Sequence, residues 1–130
     1  MWVSKLQTQV ALSTTEAEYI TLSMALREVI PIMELIKEMK EQGFDDMQSI
    51  CMVHCVAFED NSGTLILATE HKLRPRAKHI NCQYHHFRQY INSGEIVTKD
   101  IHTTLQRADM LTKPNNLMDL LRHRKATMGW

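Results

Sequence analysis

The sequence predicts an α/β domain, because stretches with strand character alternate along the chain with stretches of helical periodicity. Two features anchor that reading. A long helical pattern runs from Ser13 to Gly43, and the almost wholly apolar run Ile50–Phe58 ends abruptly in Glu59-Asp60-Asn61-Ser62, as a strand feeding a capped helix would. The 130 residues suffice for one domain with a core of its own.

The elements follow in order. Residues 2–12 mix β-formers with polar residues in rough alternation and are expected to form a strand or hairpin arm. Ser13-Thr14-Thr15-Glu16 reads as a capping box, with Ser13 accepting from the helix and Glu16 reaching back. The helix that follows, 14–42, places apolar residues at Ala17, Ile20, Met24, Ala25, Val29, Ile32, Leu35, Ile36 and Met39. Pro31 should kink it by removing one backbone donor.

A strand over 50–58, buried on both faces, leads to a short helix over 61–68 capped by Asp60 or Asn61. The basic loop His71–Lys78 precedes an aromatic, histidine-rich helix over 79–92, which Ser93-Gly94 breaks. A strand over 95–101, a helix over 105–113 stopped by Pro114 and an amphipathic helix over 116–124 complete the chain.

Apolar residues make up 44% and charged residues 23%, ordinary for a globular protein. No apolar run approaches the ~20 residues that span a bilayer, and the N-terminus lacks a signal pattern, so the expected setting is intracellular, cytoplasmic or nuclear. Cys51, Cys55 and Cys82 form no Cys-x-x-Cys pair and read as free thiols in a reducing compartment. The net charge is zero, which excludes indiscriminate coating of DNA, yet the charges are segregated. Ten acidic and three basic residues lie between Thr14 and Asp60, whereas His71–Gly94 carries five basic residues and no acidic one. Such a division suits cations on one part and phosphates on the other, or simply two solvated faces of opposite sign.

Three acidic residues stand where elements begin or end. Glu18 lies near the start of the long helix, Asp60 at the C-terminal end of the apolar strand, and Asp109 within a late helix. Strand ends of open sheets are where ligands gather, and carboxylates suit Mg²⁺, a hard cation that keeps several waters. Spacing alone does not separate these from ordinary surface acids.

The motifs add what spacing lacks. Ser4-Lys5-Leu6-Gln7, Val10 to Tyr19 (VALSTTEAEY), Glu59-Asp60-Asn61, Lys78-His79-Ile80 and Ala108 to Pro114 (ADMLTKP) resemble, in order and spacing, the successive signatures of ribonuclease H domains of copia-type retrotransposon Pol polyproteins. The resemblance covers nearly the whole chain. It implies a ribonuclease H-like mixed sheet with flanking helices. It also implies hydrolysis of the RNA strand of RNA–DNA hybrids through four carboxylates and two Mg²⁺ ions, or Mn²⁺ in their place.

Carried over by position, Glu18, Asp60 and Asp109 become catalytic residues and metal ligands, with Glu16 left as the helix cap. The family's fourth carboxylate stands on a first strand upstream of the Trp2 segment, so the expectation is a single partial domain, 1–130, with its first strands missing and inactive alone. A non-catalytic, nucleic-acid-binding remnant of a transposon is the alternative. Two local departures stand out: Ala77 and Asn81 flank Lys78-His79-Ile80 where the family carries Thr and Asp, and Glu59 precedes Asp60 where an apolar or small residue is usual.

Lys72, Arg74, Arg76, Lys78 and His79 are the expected nucleic-acid contacts, and the reverse transcriptase domain of the same polyprotein is the expected protein partner. Self-association through the edge strand near Trp2 is also expected. His79, Cys82, His85 and His86 share enough of one helical face to suggest zinc. Structural zinc sites usually draw ligands from two segments, so a basic, aromatic helix facing a nucleic-acid backbone is the favoured reading. His102, between the last strand and Asp109, falls where many ribonucleases H carry a mobile histidine.

Overall fold

A computed structural model describes residues 10–44, 52–70 and 82–130, with the side chains of Cys82 and Gln83 excepted. Helix α1 spans Thr14–Glu41. Ser13 Oγ accepts from Glu16 N at 3.2 Å, and Glu16 Oε2 accepts from Leu12 N at 2.9 Å. The return bond therefore lands one residue before the cap, a shifted form of the expected box. It bends the chain at Leu12 toward the helix, and Val10–Leu12 belong to no strand. The remainder of the expected 2–12 strand lies outside the described residues.

Pro31 sits inside α1 without ending it. The buried stripe consists of Tyr19, Ile20, Leu22, Ser23, Leu26, Ile30 and Met33. Met24, Ile32 and Leu35, also in the apolar pattern, are 40–56% exposed, because at about 100° per residue they fall on the opposite side. Past Met33 no residue of the helix is buried, since the described layers end there.

Strands β1 (Cys55–Glu59) and β2 (Ile96–Asp100) pair in parallel, Cys55 opposite Ile96 and Glu59 opposite Asp100. Cys55 N donates to Glu95 O and Ile101 N to Glu59 O, closing the ladder at both ends. Both strands are shorter than the 50–58 and 95–101 expected. Pairing decides their limits, and β2 can begin only after the turn at Gly94, whose φ is +79°. Cys55, Ala57 and Ile96 face the core, while Phe58 and Val97 face outward, 52% and 38% exposed. The expected burial of the first strand on both faces therefore fails, as no described layer covers the outer face.

Helix α2 (Ser62–Thr69) starts at Asn61, whose side chain accepts from Thr64 N. The expected 79–92 helix is instead a 3-10 turn, Cys82–His85, followed by α3, Arg88–Asn92. The tighter winding aims Tyr84 and Phe87, three residues apart, into the core together. Arg88 locks this segment to the end of α2 by donating to the Leu67 and Glu70 carbonyls.

The expected 105–113 helix likewise divides, into a 3-10 turn at Thr103–Leu105 and α4 at Asp109–Thr112. His102 N-caps the 3-10 turn, and the intervening Gln106–Ala108 contribute nothing to the core that would favour one continuous helix. Helix α5 runs Leu117–Met128, beyond the expected 124, because a left-handed Gly129 ends it rather than the basic cluster. No helix among the described residues is long and apolar enough to cross a membrane.

Candidate functional site

The site begins where two helix starts meet. Thr64 Oγ1 donates to Thr15 O at 3.1 Å, joining the first turns of α2 and α1. Thr15 Oγ1 stands 3.5 Å from Asn61 Oδ1. A Cβ on Gly63 would lie 2.9 Å from Thr15 Cγ2, so only glycine allows this approach without displacement. The consequence is chemical: Glu18, one turn into α1, is brought to the end of β1, where Glu59 and Asp60 emerge.

Each of Glu18, Glu59 and Asp60 offers an oxygen within 4.8 Å of those of the other two. Asp109, the first residue of α4, lines the same cleft, with Phe58, Gln106 and Lys113 on its walls; the cleft holds about 380 Å³. Asp109 Oδ1 pairs with Lys113 Nζ at 2.9 Å. That pairing, reinforced by the charges of Asp60 and Glu18, holds the Lys113 ammonium above its ordinary pKa.

Glu59 is 8% exposed, the one buried residue of β1. Burial pushes its carboxyl up, as do the neighbouring Glu18 and Asp60, while the Asn61 N–H, 3.2 Å from Oε1, pulls it down. Glu18 Oε2 is buried and has no hydrogen-bond partner among the described residues. An orphaned carboxylate oxygen costs free energy, and carboxylates this close repel one another. A hard divalent cation would relieve both, and an all-oxygen donor set suits Mg²⁺ or Mn²⁺. The residues present therefore fit such a cation.

Three curated proteins similar to the chain are retrovirus-related Pol polyproteins from transposons. That of transposon TNT 1-94 from Nicotiana tabacum is 35% identical over 121 residues, 92% of this chain and 8% of the relative. Those of RE2 and RE1 from Arabidopsis thaliana are 34% and 33% identical over 113 residues, 87% of this chain and 7% of each relative. Its homologues are retrotransposon Pol polyproteins. The chain spans less than a tenth of the length of each of these relatives. No protein-family profile and no solved structure matches it.

In this chain the cleft thus collects Glu18, Asp60 and Asp109 from three separated motifs. It adds Glu59, which motif reasoning had set aside as a departure. The available signal was an acidic residue closing an apolar strand beside another acid. The expected nucleic-acid contacts Lys72, Arg74, Arg76, Lys78 and His79 lie outside the described residues, as do His79 and the Cys82 side chain of the suggested zinc set. His85 Nδ1 lies 2.6 Å from Tyr19 Oη, and His86 Nδ1 lies 3.4 Å from Ser23 Oγ, so both rings serve the packing against α1. His102 is exposed, and its ring accepts from Thr104 N at 3.3 Å.

Proposed function

We propose that the chain is part of a ribonuclease H domain of a retrotransposon Pol polyprotein, acting on the RNA strand of RNA–DNA hybrids with divalent cations. The observation that carries this reading is the convergence of Glu18, Asp60 and Asp109, each from a different copia-type motif, on one cleft. Relatives that are transposon Pol polyproteins support the lineage. The RNA–DNA hybrid and the reverse transcriptase domain of the same polyprotein are the partners this reading implies.

Glu18, Glu59 and Asp60 would hold the cation, with Asp109 lining the same cleft. Bound there, divalent cations supply Lewis acidity toward the phosphodiester oxygens. The protein contributes rigidity to that chemistry. The parallel ladder fixes the backbone of Glu59 and Asp60, the α1–α2 junction fixes Glu18, and Lys113 fixes the Asp109 carboxylate. Phe58 and the apolar part of the α1 wall (Ala17, Leu22, Ala25) restrict water on the flanks of the cleft.

The test is hydrolysis of an end-labelled RNA–DNA hybrid in Mg²⁺ or Mn²⁺, alongside Mn²⁺ binding. Family motifs assign three of the four expected carboxylates to this chain, so the expected result is measurable Mn²⁺ binding that is lost in Asp60→Asn, with no useful cleavage by this chain alone. Wild-type protein binding Mn²⁺ no better than Asp60→Asn would remove the reading.

A further inference from the structure

Beside the carboxylate cleft lies a second groove of about 410 Å³, between the end of β1, the 3-10 turn and α5. Phe58 and Gln106 line both, so the two depressions adjoin. Gln106 Nε2 donates to Phe58 O at 3.4 Å and fixes the shared wall. The charges of the two are opposed. The cleft is lined by four carboxylates and one lysine, whereas the groove is lined by Arg107 and Arg122 and by no acidic residue.

The floor of the groove is apolar and open. The Phe58 ring is 52% exposed and Leu105 56% exposed, while His123 beneath them is buried. Arg107 is exposed, and Arg122 donates to Thr104 O, on the groove lining, at 3.4 Å and also pairs with Asp119.

We infer that this groove carries the phosphodiester backbone of the nucleic-acid strand that enters the carboxylate cleft, with Arg107 and Arg122 on successive phosphates and Phe58 beneath a base or sugar. The inference rests on the nucleic-acid reading above and adds to it a surface outside the basic 72–79 segment. A polyanion drawn toward four carboxylates is repelled unless cations stand along its path, and the groove places two guanidiniums directly beside the cleft. Guanidinium forks match phosphate geometry, and an exposed aromatic ring gives a base a stacking surface. An apolar floor with two guanidiniums on its rim, one of them paired with Asp119, suits a nucleic-acid strand better than a basic peptide.

Fluorescence anisotropy with a labelled RNA–DNA hybrid in EDTA tests this without any cleavage. The Arg107→Ala/Arg122→Ala double variant is expected to bind about ten-fold or more weakly, with the salt slope reduced by roughly one to two. Phe58→Ala is expected to weaken binding about five-fold while leaving the salt slope unchanged. Arg124→Ala/Lys125→Ala removes the same charge from α5 away from the groove, and should stay within about two-fold of wild type by comparison.

Equal losses in the two double variants, undiminished binding by Arg107→Ala/Arg122→Ala with unaltered circular dichroism, or displacement of the hybrid by poly-glutamate at equal charge concentration would each overturn the inference. Wild-type protein that binds the hybrid through the groove yet takes up no Mn²⁺ would refute only the metal-site reading.

Discussion

The Tyr19 hydroxyl lies 2.6 Å from His85 Nδ1 and ties the start of α1 to the 3-10 turn before α3. Burial pushes the phenol up to about 12, against a smaller opposing effect of Arg88, so it stays protonated at neutral pH and is able to donate. The bond forms with either ring tautomer: Nδ1 accepts from the phenol, or an Nδ1–H donates to the phenol oxygen. Tyr19→Phe keeps the ring contact with Phe87 at 5.5 Å but removes this bond. A loss of about 1–2 kcal/mol in urea unfolding is expected, and an unchanged midpoint would show that the bond is not formed.

The close approach at Gly63 makes a second prediction. Gly63→Ala pushes a methyl against Thr15, in a junction already closed by the Thr64–Thr15 hydrogen bond. Destabilisation of about 1–3 kcal/mol is expected from overpacking. The double variant Gly63→Ala/Thr15→Ser, which removes the methyl that the new Cβ meets, should recover part of the loss. No recovery would locate the strain elsewhere.

Removing a carboxylate from the Glu18–Glu59–Asp60 cluster should have opposite effects with and without divalent cation. In EDTA, Asp60→Asn relieves like-charge repulsion and should leave stability equal or raised. With Mn²⁺ at a hundred times its dissociation constant, wild type should gain about 2.7 kcal/mol and the variant far less. Thermal unfolding measured with and without Mn²⁺ reads both arms, and an equal gain in the variant would contradict the site.

Glu59 predicts a particular pH dependence. Its folded pKa is raised, chiefly by burial, so the unfolded chain gives up this proton first as pH rises. The stability it contributes is fully present below the unfolded pKa and is lost as pH climbs through the folded value. Glu59→Gln keeps the oxygen that Asn61 N–H uses but cannot ionise. In EDTA the variant and wild type should converge in acid, with the variant the more stable at neutral pH. Parallel stability curves across that window would show that Glu59 is not desolvated as the fold implies.

Local chemistry made much of this legible in the sequence. Ser13 and Asn61 cap their helices through hydrogen bonds to residues three positions away, and such bonds are written in a few consecutive residues. The α1 boundaries, the alternation of strands and helices, and the motif residues Glu18, Asp60 and Asp109 needed no knowledge of distant partners. Strand limits and the division of the 79–92 segment were less accessible, because ladder pairing and the packing of Tyr84 with Phe87 decide them.

The sequence by itself determined where α1 and α2 start and that acidic residues stand at the ends of elements, since capping, periodicity and motif order are short-range properties. Only the tertiary structure decided which side of α1 is buried, that Gly63 permits the junction with Thr15, and that Glu59 joins Glu18 and Asp60. It alone set a basic groove beside an acidic cleft through the shared Phe58 and Gln106. The physical reason is that burial, close approach and the field at a carboxylate depend on groups forty or more residues away in sequence, which meet only when the chain packs.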